Sequence, residues 1–118
     1  MIKLKINGYA FGKMVVEGRE FTSDLIIYPD GRIQENWWRS QGHLLLLDDI
    51  TPVFDSAPDK LVIGTGARGM MKVSEEVLAL CNNCGIKAEA CRTAMAVERF
   101  NESVEAGTVV AACFHLTC

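Results

Sequence analysis

The chain has 118 residues, a length typical of one domain. Its residues are 49% hydrophobic and 23% charged, which is enough apolar material for a buried core and argues against disorder. The formal net charge is −3, and no basic cluster is visible. The composition therefore predicts a single domain over residues 1–118, with neither nucleic acid nor a membrane as its partner.

The two segments most relevant to cellular location indicate a soluble protein. Residues 1–7 alternate apolar and polar side chains, which is a strand pattern and differs from the continuous apolar core of a signal peptide. The longest apolar run, residues 44–47, is far too short to span a bilayer. Five cysteines without a secretion signal fit a reducing compartment, so we expect a cytoplasmic location.

The N-terminal half has the pattern of strands and hairpins. Alternation or β-branched content predicts strands at residues 1–7, 13–17, 24–28 and 32–37. Asn7-Gly8 predicts the first turn. Pro29-Asp30-Gly31 predicts a hairpin turn, because Pro presets φ, Asp caps the turn and Gly accepts a positive φ.

The C-terminal half alternates strand and helix patterns. Predicted strands cover residues 61–63, 86–91 and 109–116, and predicted helices start near Pro52, at a Ser74 cap and at a Thr93 cap. The helix capped by Ser74 ends at Gly85. N-terminal β-hairpins are thus followed by a βαβαβ unit, which indicates an α/β fold with parallel neighbouring strands.

A glycine-rich loop follows the strand at residues 61–63. Gly64, Gly66 and Gly69 have the G-x-G-x-x-G spacing that lets backbone N–H groups approach a phosphate. The loop predicts one of three things: a tight strand-to-helix connection, a site for a small anion at Gly64, Thr65, Gly66 and Arg68, or a dinucleotide site. The dinucleotide alternative would use Glu89 for a ribose hydroxyl, but residues 70–73 separate the loop from the Ser74 cap, and the Lys-Ser/Thr ending of a P-loop is missing.

The last strand carries a histidine between apolar residues. His115 shares one strand face with Cys113 and Thr117. Side chains two apart on a strand are about 6–7 Å apart, too far for a direct Cys–His hydrogen bond. His115 is therefore either a hydrogen-bonded core histidine or, with Thr117, part of a ligand pocket beside the glycine loop.

Two tryptophans and an arginine end the second hairpin. On a strand, Trp37 and Trp38 point to opposite faces, so we expect one ring in the core. We expect the other ring to lie under Arg39 or to line an exposed groove. These three residues are packing residues or a surface for a partner.

The pair Cys81–Cys84 has the C-x-x-C spacing of redox and metal sites. It falls at the predicted end of a helix, where the dipole disfavours a thiolate, and Cys91 lies too far along a strand to share a metal. We interpret these cysteines as structural. The sequence predicts no metal ligands, no cofactor and no catalytic residues.

The order of these motifs resembles one known family. It is the small α/β domain family of the adipogenesis-associated protein and of a mitochondrial respiratory complex I assembly factor, with mostly uncharacterised prokaryotic members. The matching residues are Phe11-Gly12-Lys13-Met14, Pro29-Asp30-Gly31, Trp37-Trp38-Arg39, Thr51-Pro52, Leu61-Val62-Ile63-Gly64-Thr65-Gly66, Gly85-Ile86, Thr93 with Ala96, Phe100-Asn101 and Phe114-His115-Leu116-Thr117-Cys118. The resemblance implies a three-layer α/β fold with a central mixed sheet, and the assembly-factor member implies protein binding. It implies no catalytic residues.

The leading functional prediction is a non-enzymatic binding or assembly-type module with an unknown protein partner. Its surface would combine Trp37, Trp38 and Arg39 with a pocket near Gly64–Arg68, His115 and Thr117. The alternative is a small enzyme or ligand sensor that holds a small anion or a nucleotide at the Gly64–Arg68 loop. Oligomeric state and strand order are open at this stage.

Overall fold

A five-stranded mixed sheet forms the centre of the computed structural model, which describes residues 4–118. The strands are β1 (Ile6–Ala10), β2 (Lys13–Val16), β3 (Arg19–Phe21), β4 (Leu25–Ile27), β5 (Ile33–Gln34), β6 (Leu44–Leu45), β7 (Lys60–Thr65), β8 (Lys72–Val73), β9 (Lys87–Cys91) and β10 (Val110–His115). The helices are α1 (Thr51–Asp55), α2 (Glu75–Asn83) and α3 (Thr93–Glu105), with a 3₁₀ turn at Leu47–Asp49. The central strand order is β5-β4-β10-β7-β9.

The predicted βαβαβ unit is confirmed as the parallel half of this sheet. Strand β7 pairs in parallel with both β9 and β10, and helices α2 and α3 form the crossovers. Strand β4 pairs antiparallel with β10, which makes the sheet mixed. Strand β10 therefore joins the N-terminal hairpin to the βαβαβ unit.

Alternate residues of β10 face two separate cores, as expected for a strand buried on both sides. Ala112 and Phe114 pack on one side against α3 and the sheet β1-β2-β3. Ala111 and Cys113 pack on the other side against α1 and α2. These two cores hold three layers together, in agreement with the predicted architecture.

The first predicted turn is wrong. Asn7 and Gly8 lie inside β1, where the pairing with β2 is irregular between Ile6 and Gly8. The chain instead turns at Gly12, whose φ is +77°. A glycine inside a strand often marks a bulge, and this one was mistaken for a turn. Residues 1–3 of the predicted first strand lie outside the described residues.

The hairpin around Pro29-Asp30-Gly31 is confirmed. Strands β4 and β5 pair antiparallel across it, and Gly31 has a φ of +93°. Beyond the hairpin, β6 pairs in parallel with β8 and forms a small two-stranded sheet that the sequence patterns did not predict. This pairing fixes the chain between the glycine loop and α2.

Within residues 4–118, no helix has both the length and the apolar character needed to cross a membrane.

Candidate functional site

The backbone N–H groups of the glycine loop bind the chain's own 117–118 segment. The N–H of Ala67 donates to the oxygen of Thr117 at 2.7 Å. The N–H groups of Arg68 and Met70 donate to the oxygen of Cys118 at 3.2 and 3.0 Å. The amides that a phosphate would need are thus already satisfied within the protein.

Thr93 fixes the same loop from the other side. The Thr93 hydroxyl accepts the N–H of Gly66 at 2.9 Å and donates to the carbonyl of His115 at 2.6 Å. The prediction that Thr93 caps α3 is wrong, since the cap position is Arg92 and Thr93 is the first helical residue. Its fully buried hydroxyl serves the ends of β7 and β10 instead of the helix.

The glycines of the loop allow close packing. A Cβ on Gly64 would lie 2.7 Å from a ring carbon of Phe114, and one on Gly66 would lie 2.4 Å from the carbonyl carbon of Cys118. Gly66 also has a φ of +109°, which an L side chain disfavours. These contacts favour the tight-connection interpretation. The anion site at Gly64, Thr65, Gly66 and Arg68 stays a prediction that no contact supports.

Arg68 and Glu89, the charged residues of the two ligand hypotheses, have no contact that indicates a ligand at the loop. Arg68 is exposed. Glu89 binds Lys60 at 3.0 Å and Arg99 at 3.0 Å. Its carboxylate is therefore already used in an ion-pair cluster on β7, β9 and α3.

A pocket of about 360 Å³ lies at the end of β10 and is not lined by the glycine loop. Its lining residues are Thr22, Ser23, Asp24, Asn36, Trp37, Trp38, Arg39, Gly42, His115 and Thr117. The predicted partner residues thus meet two of the predicted ligand residues, His115 and Thr117. The volume lies within the range of small-ligand sites, about 300–1,000 Å³.

An ion-pair cluster lies in the wall of this pocket. Asp24 Oδ2 lies 2.8 Å from Arg39 Nη2 and 2.8 Å from His115 Nδ1. The other carboxylate oxygen accepts the N–H of Leu116 at 2.7 Å. An ionised carboxylate only accepts hydrogen bonds. His115 Nδ1 therefore carries a hydrogen and donates a hydrogen bond to Asp24 Oδ2. The free electron pair of a neutral His115 is therefore on Nε2.

The environment of Asp24 favours its charged form. Burial by itself would raise the pKa of Asp24, but hydrogen bonds from His115, the Leu116 N–H and Arg39 outweigh it. The pKa of Asp24 consequently lies below its ordinary value.

Two nitrogens of the cluster have no partner. Arg39 Nη1 and His115 Nε2 are both buried without a hydrogen bond within residues 4–118. The side chains are only 4% and 7% exposed. Both side chains line the pocket, while these two nitrogens themselves have almost no solvent-accessible surface.

The two tryptophans take opposite environments, as predicted. Trp37 is 3% exposed, and its indole N–H donates to the carbonyl of Asp49 at 2.9 Å. The guanidinium of Arg39 lies 4.7 Å from the centre of the Trp37 ring, so the buried ring and not the exposed one lies under Arg39. Trp38 is 84% exposed at the pocket.

The C-x-x-C pair lacks the features of a redox or metal site. Cys81 is buried in α2, and burial raises the pKa of its thiol, whereas Cys84 is exposed after the end of the helix. Across residues 4–118, no group of three or more His, Cys, Asp or Glu side chains is placed to hold a metal.

Sequence reasoning missed Asp24, which holds both basic side chains of the pocket. One signal was present, because Asp24 is a charged residue directly before the apolar run 25–27. The sequence contains no indication of its partners, since 91 positions separate Asp24 from His115.

Structural comparison finds the same architecture in several solved proteins. A conserved hypothetical protein from Pyrococcus horikoshii is 27% identical, with a TM-score of 0.83 over 97% of this chain and 99% of that one. A protein named MT938 is 24% identical, with a TM-score of 0.82 over 98% and 99% of the two chains. A Bartonella henselae protein described as an outer membrane protein is 24% identical, with a TM-score of 0.83 over 98% and 97%.

A family match covers nearly the whole chain and agrees with the resemblance seen in its motifs. The match extends from residue 6 to residue 115, through every element of both cores. This chain therefore belongs to the family described as "Protein of unknown function (DUF498/DUF598)".

Proposed function

We propose that this protein is a non-enzymatic binding module whose recognition site is the pocket between Asp24, Trp38, Arg39 and His115. The observation that carries this proposal is that an 84% exposed Trp38 and the Asp24–Arg39–His115 cluster line the same pocket of about 360 Å³. An exposed aromatic ring beside charged groups in a pocket offers a partner both an apolar contact and polar contacts. A cytoplasmic location remains a prediction.

Large apolar side chains near the pocket favour a segment of a protein as the partner. Trp38 lines the pocket and is 84% exposed. Phe11 and Met70 are 62% and 50% exposed. The backbone N–H of Gly12, next to Phe11, donates to the carbonyl of Leu116. The backbone N–H of Met70 donates to the backbone oxygen of Cys118. The backbone at both positions thus lies close to the segment 116–118, and exposed apolar surface near a polar pocket is typical of protein interfaces.

The contacts of His115 favour binding over catalysis. In general-base catalysis, the imidazole nitrogen opposite the carboxylate accepts a proton from a nucleophile within hydrogen-bond reach. His115 has the carboxylate on the correct side, but Nε2 has no hydrogen-bond partner within residues 4–118. The nearby Ser23 hydroxyl accepts the N–H of Asn36. Among residues 4–118, no side-chain hydroxyl or thiol is hydrogen-bonded to His115 Nε2.

Selection of random peptides tests this proposal. Peptides that bind the wild-type protein are expected to lose at least tenfold in affinity for Trp38→Ala, because an exposed aromatic anchor contributes about 2 kcal/mol or more. Leu78→Ala is the matched control, since Leu78 is 44% exposed on α2. Amide chemical-shift changes on binding should cluster at the pocket-lining residues.

Either of two results would contradict the proposal. One is that the selected peptides shift resonances of α2 and leave the pocket unchanged. The other is that binding is insensitive to Trp38→Ala while Leu78→Ala weakens it.

A further inference from the structure

We propose that strand β9 is a self-association edge, where a second copy of this chain adds its own β9 in antiparallel pairing and forms a two-fold dimer. The inference goes beyond the proposed binding function, because no residue of β9 lines the pocket. It follows from the backbone groups of Ala88 and Ala90 and from the charges of Lys87 and Glu89.

The ladder between β7 and β9 uses only alternate residues of β9. The N–H of Lys87 donates to the carbonyl of Asp59 at 3.0 Å, and the parallel pairing with β7 begins there. In such a ladder every second residue faces the neighbouring strand, so Glu89 is the next to bond to β7. The N–H and C=O groups of Ala88 and Ala90 therefore point away from β7. On that side β9 has no neighbour in the sheet.

The other strands with a free edge are short or covered. Strands β3, β5, β6 and β8 have at most three residues. Strand β1 is as long as β9, but the Asn101 side chain accepts the N–H of Ile6 and donates to its carbonyl, each at 2.9 Å. Its pairing with β2 is also irregular. Short strands, bulges and covering groups oppose edge pairing. The five residues of β9 contain neither Pro nor a bulge, so its edge favours a strand partner.

The charges of β9 favour a second copy of the same strand. Two identical edges pair symmetrically in the antiparallel direction, because the hydrogen bonds are then exchanged reciprocally. With Ala88 opposite its own symmetry mate, Lys87 lies directly opposite the partner's Glu89, and this charge pair occurs twice. With Ala88 opposite Ala90, two Glu89 side chains lie opposite each other, and like charges in that position are destabilising. The first register is therefore favoured.

Both side chains of this charge pair are available for it. Lys87 is exposed and forms no ion pair within residues 4–118. Glu89 uses one carboxylate oxygen for Lys60 and the other for Arg99, each at 3.0 Å, and each oxygen can accept a further hydrogen bond. The hydrogen bond from Lys60 lowers the pKa of Glu89, so this carboxylate is charged near pH 7.

An apolar side chain lies on the same side of the molecule as the edge. Arg99 of α3 contacts Glu89, and Met95 shares that face of the helix because it lies four residues earlier. The Met95 side chain is 43% exposed. An edge of five residues with little apolar surface beside it predicts a weak dimer, with a dissociation constant on the order of 100 µM.

Amide hydrogen exchange of the full chain tests the edge directly. It is measured at about 20 µM and at about 1 mM protein, where the monomer and the dimer respectively predominate. We expect the N–H groups of Ala88 and Ala90 to exchange at least about threefold more slowly at the higher concentration, because they bond to the partner strand. The N–H of Glu89, which already bonds to β7, should change far less. Sedimentation equilibrium should show the dimer over the same range.

Two variants with matched controls test the pairing and its register. Ala90→Pro removes an outward N–H and leaves the ladder to β7 complete, since proline is accepted in an edge strand when its nitrogen faces solvent. We expect it to weaken the dimer at least about tenfold, whereas Ala90→Ser should not. Lys87→Glu places like charges opposite each other twice and should also weaken the dimer about tenfold. Lys72→Glu makes the same charge change at an exposed lysine of β8 and should have little effect.

Three results would overturn the inference. The first is a monomer at the higher concentration with unchanged exchange at Ala88 and Ala90. The second is a dimer that neither Ala90→Pro nor Lys87→Glu weakens, which would place the contact elsewhere. The third is a dimer weakened equally by Lys87→Glu and Lys72→Glu, which would exclude the charge pairing.

The test remains decisive if one variant does not fold, and it is separate from the test of the pocket. If circular dichroism shows that Ala90→Pro is unfolded, the exchange rates and Lys87→Glu decide. Trp38→Ala should leave the dimer unchanged, because Trp38 lies outside β9. Failure of the dimer would therefore leave the proposed binding function standing, and the peptide selection tests that function.

Discussion

At the scale of single residues, Asp24 organises the pocket. It accepts hydrogen bonds from a guanidinium, an imidazole and a backbone amide, and its side chain is 16% exposed. Without that carboxylate, Arg39 would be a buried cation with no charge partner. A buried ion pair adds little to stability when complete, yet the loss of one partner is costly.

We expect Asp24→Asn to lower the free energy of unfolding by about 3 kcal/mol at pH 7. Asp30→Asn is the control, because the Asp30–Arg32 pair is exposed and the pKa of Asp30 is lowered in the same direction by hydrogen bonds from Arg32. Denaturant unfolding at pH 7 measures both variants. An effect of Asp24→Asn no larger than that of Asp30→Asn would exclude a structural role for the cluster.

The stabilisation by Asp24 should also depend on pH. Its pKa in the folded protein lies below the ordinary aspartate value of 3.8, so the folded state favours the ionised form. The contribution is complete above the unfolded pKa and is lost as the pH falls through the lower folded pKa. The stability difference between wild type and Asp24→Asn should therefore shrink below about pH 4 in an acid titration followed by circular dichroism.

At the scale of elements, the glycine loop and the segment 115–118 form one unit. The loop amides bind Thr117 and Cys118, while Thr93 joins Gly66 to His115. The packing of the loop thus holds His115 and Thr117 in place at the pocket, although the loop itself does not line it. The G-x-G-x-x-G spacing thus serves close packing, as in the tight-connection alternative that the sequence offered.

Gly66→Ala should displace the segment 117–118 from the loop. A Cβ there would lie 2.4 Å from a backbone carbon at a φ of +109°, so we expect a loss of about 2 kcal/mol or more in unfolding free energy. Hydrogen exchange at the amides of Ala67 and Met70 should accelerate. Gly8→Ala is the control, since nothing lies within 4 Å of its Cβ position. Unchanged exchange in Gly66→Ala would contradict this account of the loop.

Local sequence patterns predicted most elements because each depends on neighbouring residues. The turn at residues 29–31, the helix after Ser74 and the apolar strand β10 follow from φ preferences, capping positions and hydrophobicity. The pocket was only half predicted. Trp37, Trp38, Arg39, His115 and Thr117 were identified as candidates, but their meeting point depends on the β4–β10 pairing. Strand pairing over such sequence separation leaves no local signal.

At the scale of the whole molecule, the cysteines differ in how deeply they are buried. Cys84 is exposed, whereas Cys113 is fully buried in β10 between β4 and β7. Burial raises the pKa of the Cys113 thiol to about 12, and only the thiolate reacts. Cys113 should therefore remain unmodified until the central sheet opens.

We expect a thiol reagent at pH 8 to modify Cys84 rapidly and Cys113 only at the rate set by unfolding. Mass spectrometry of digested samples separates the two sites. The reaction at Cys113 should follow the same denaturant dependence as global unfolding. Cys84→Ser should remove the modification at that position and leave the rate at Cys113 unchanged. Rapid modification of Cys113 in the native protein would show that the central sheet opens locally.

The central position of β10 has a consequence for synthesis on the ribosome. This strand lies between β4 and β7, yet it follows all the other strands along the chain. Until residues 110–115 emerge, the nascent hairpin and the nascent βαβ unit each present an unpaired apolar strand edge. Both edges are prone to aggregation in that interval. We therefore expect correct folding to depend on keeping the two halves apart from other chains until β10 has been synthesised.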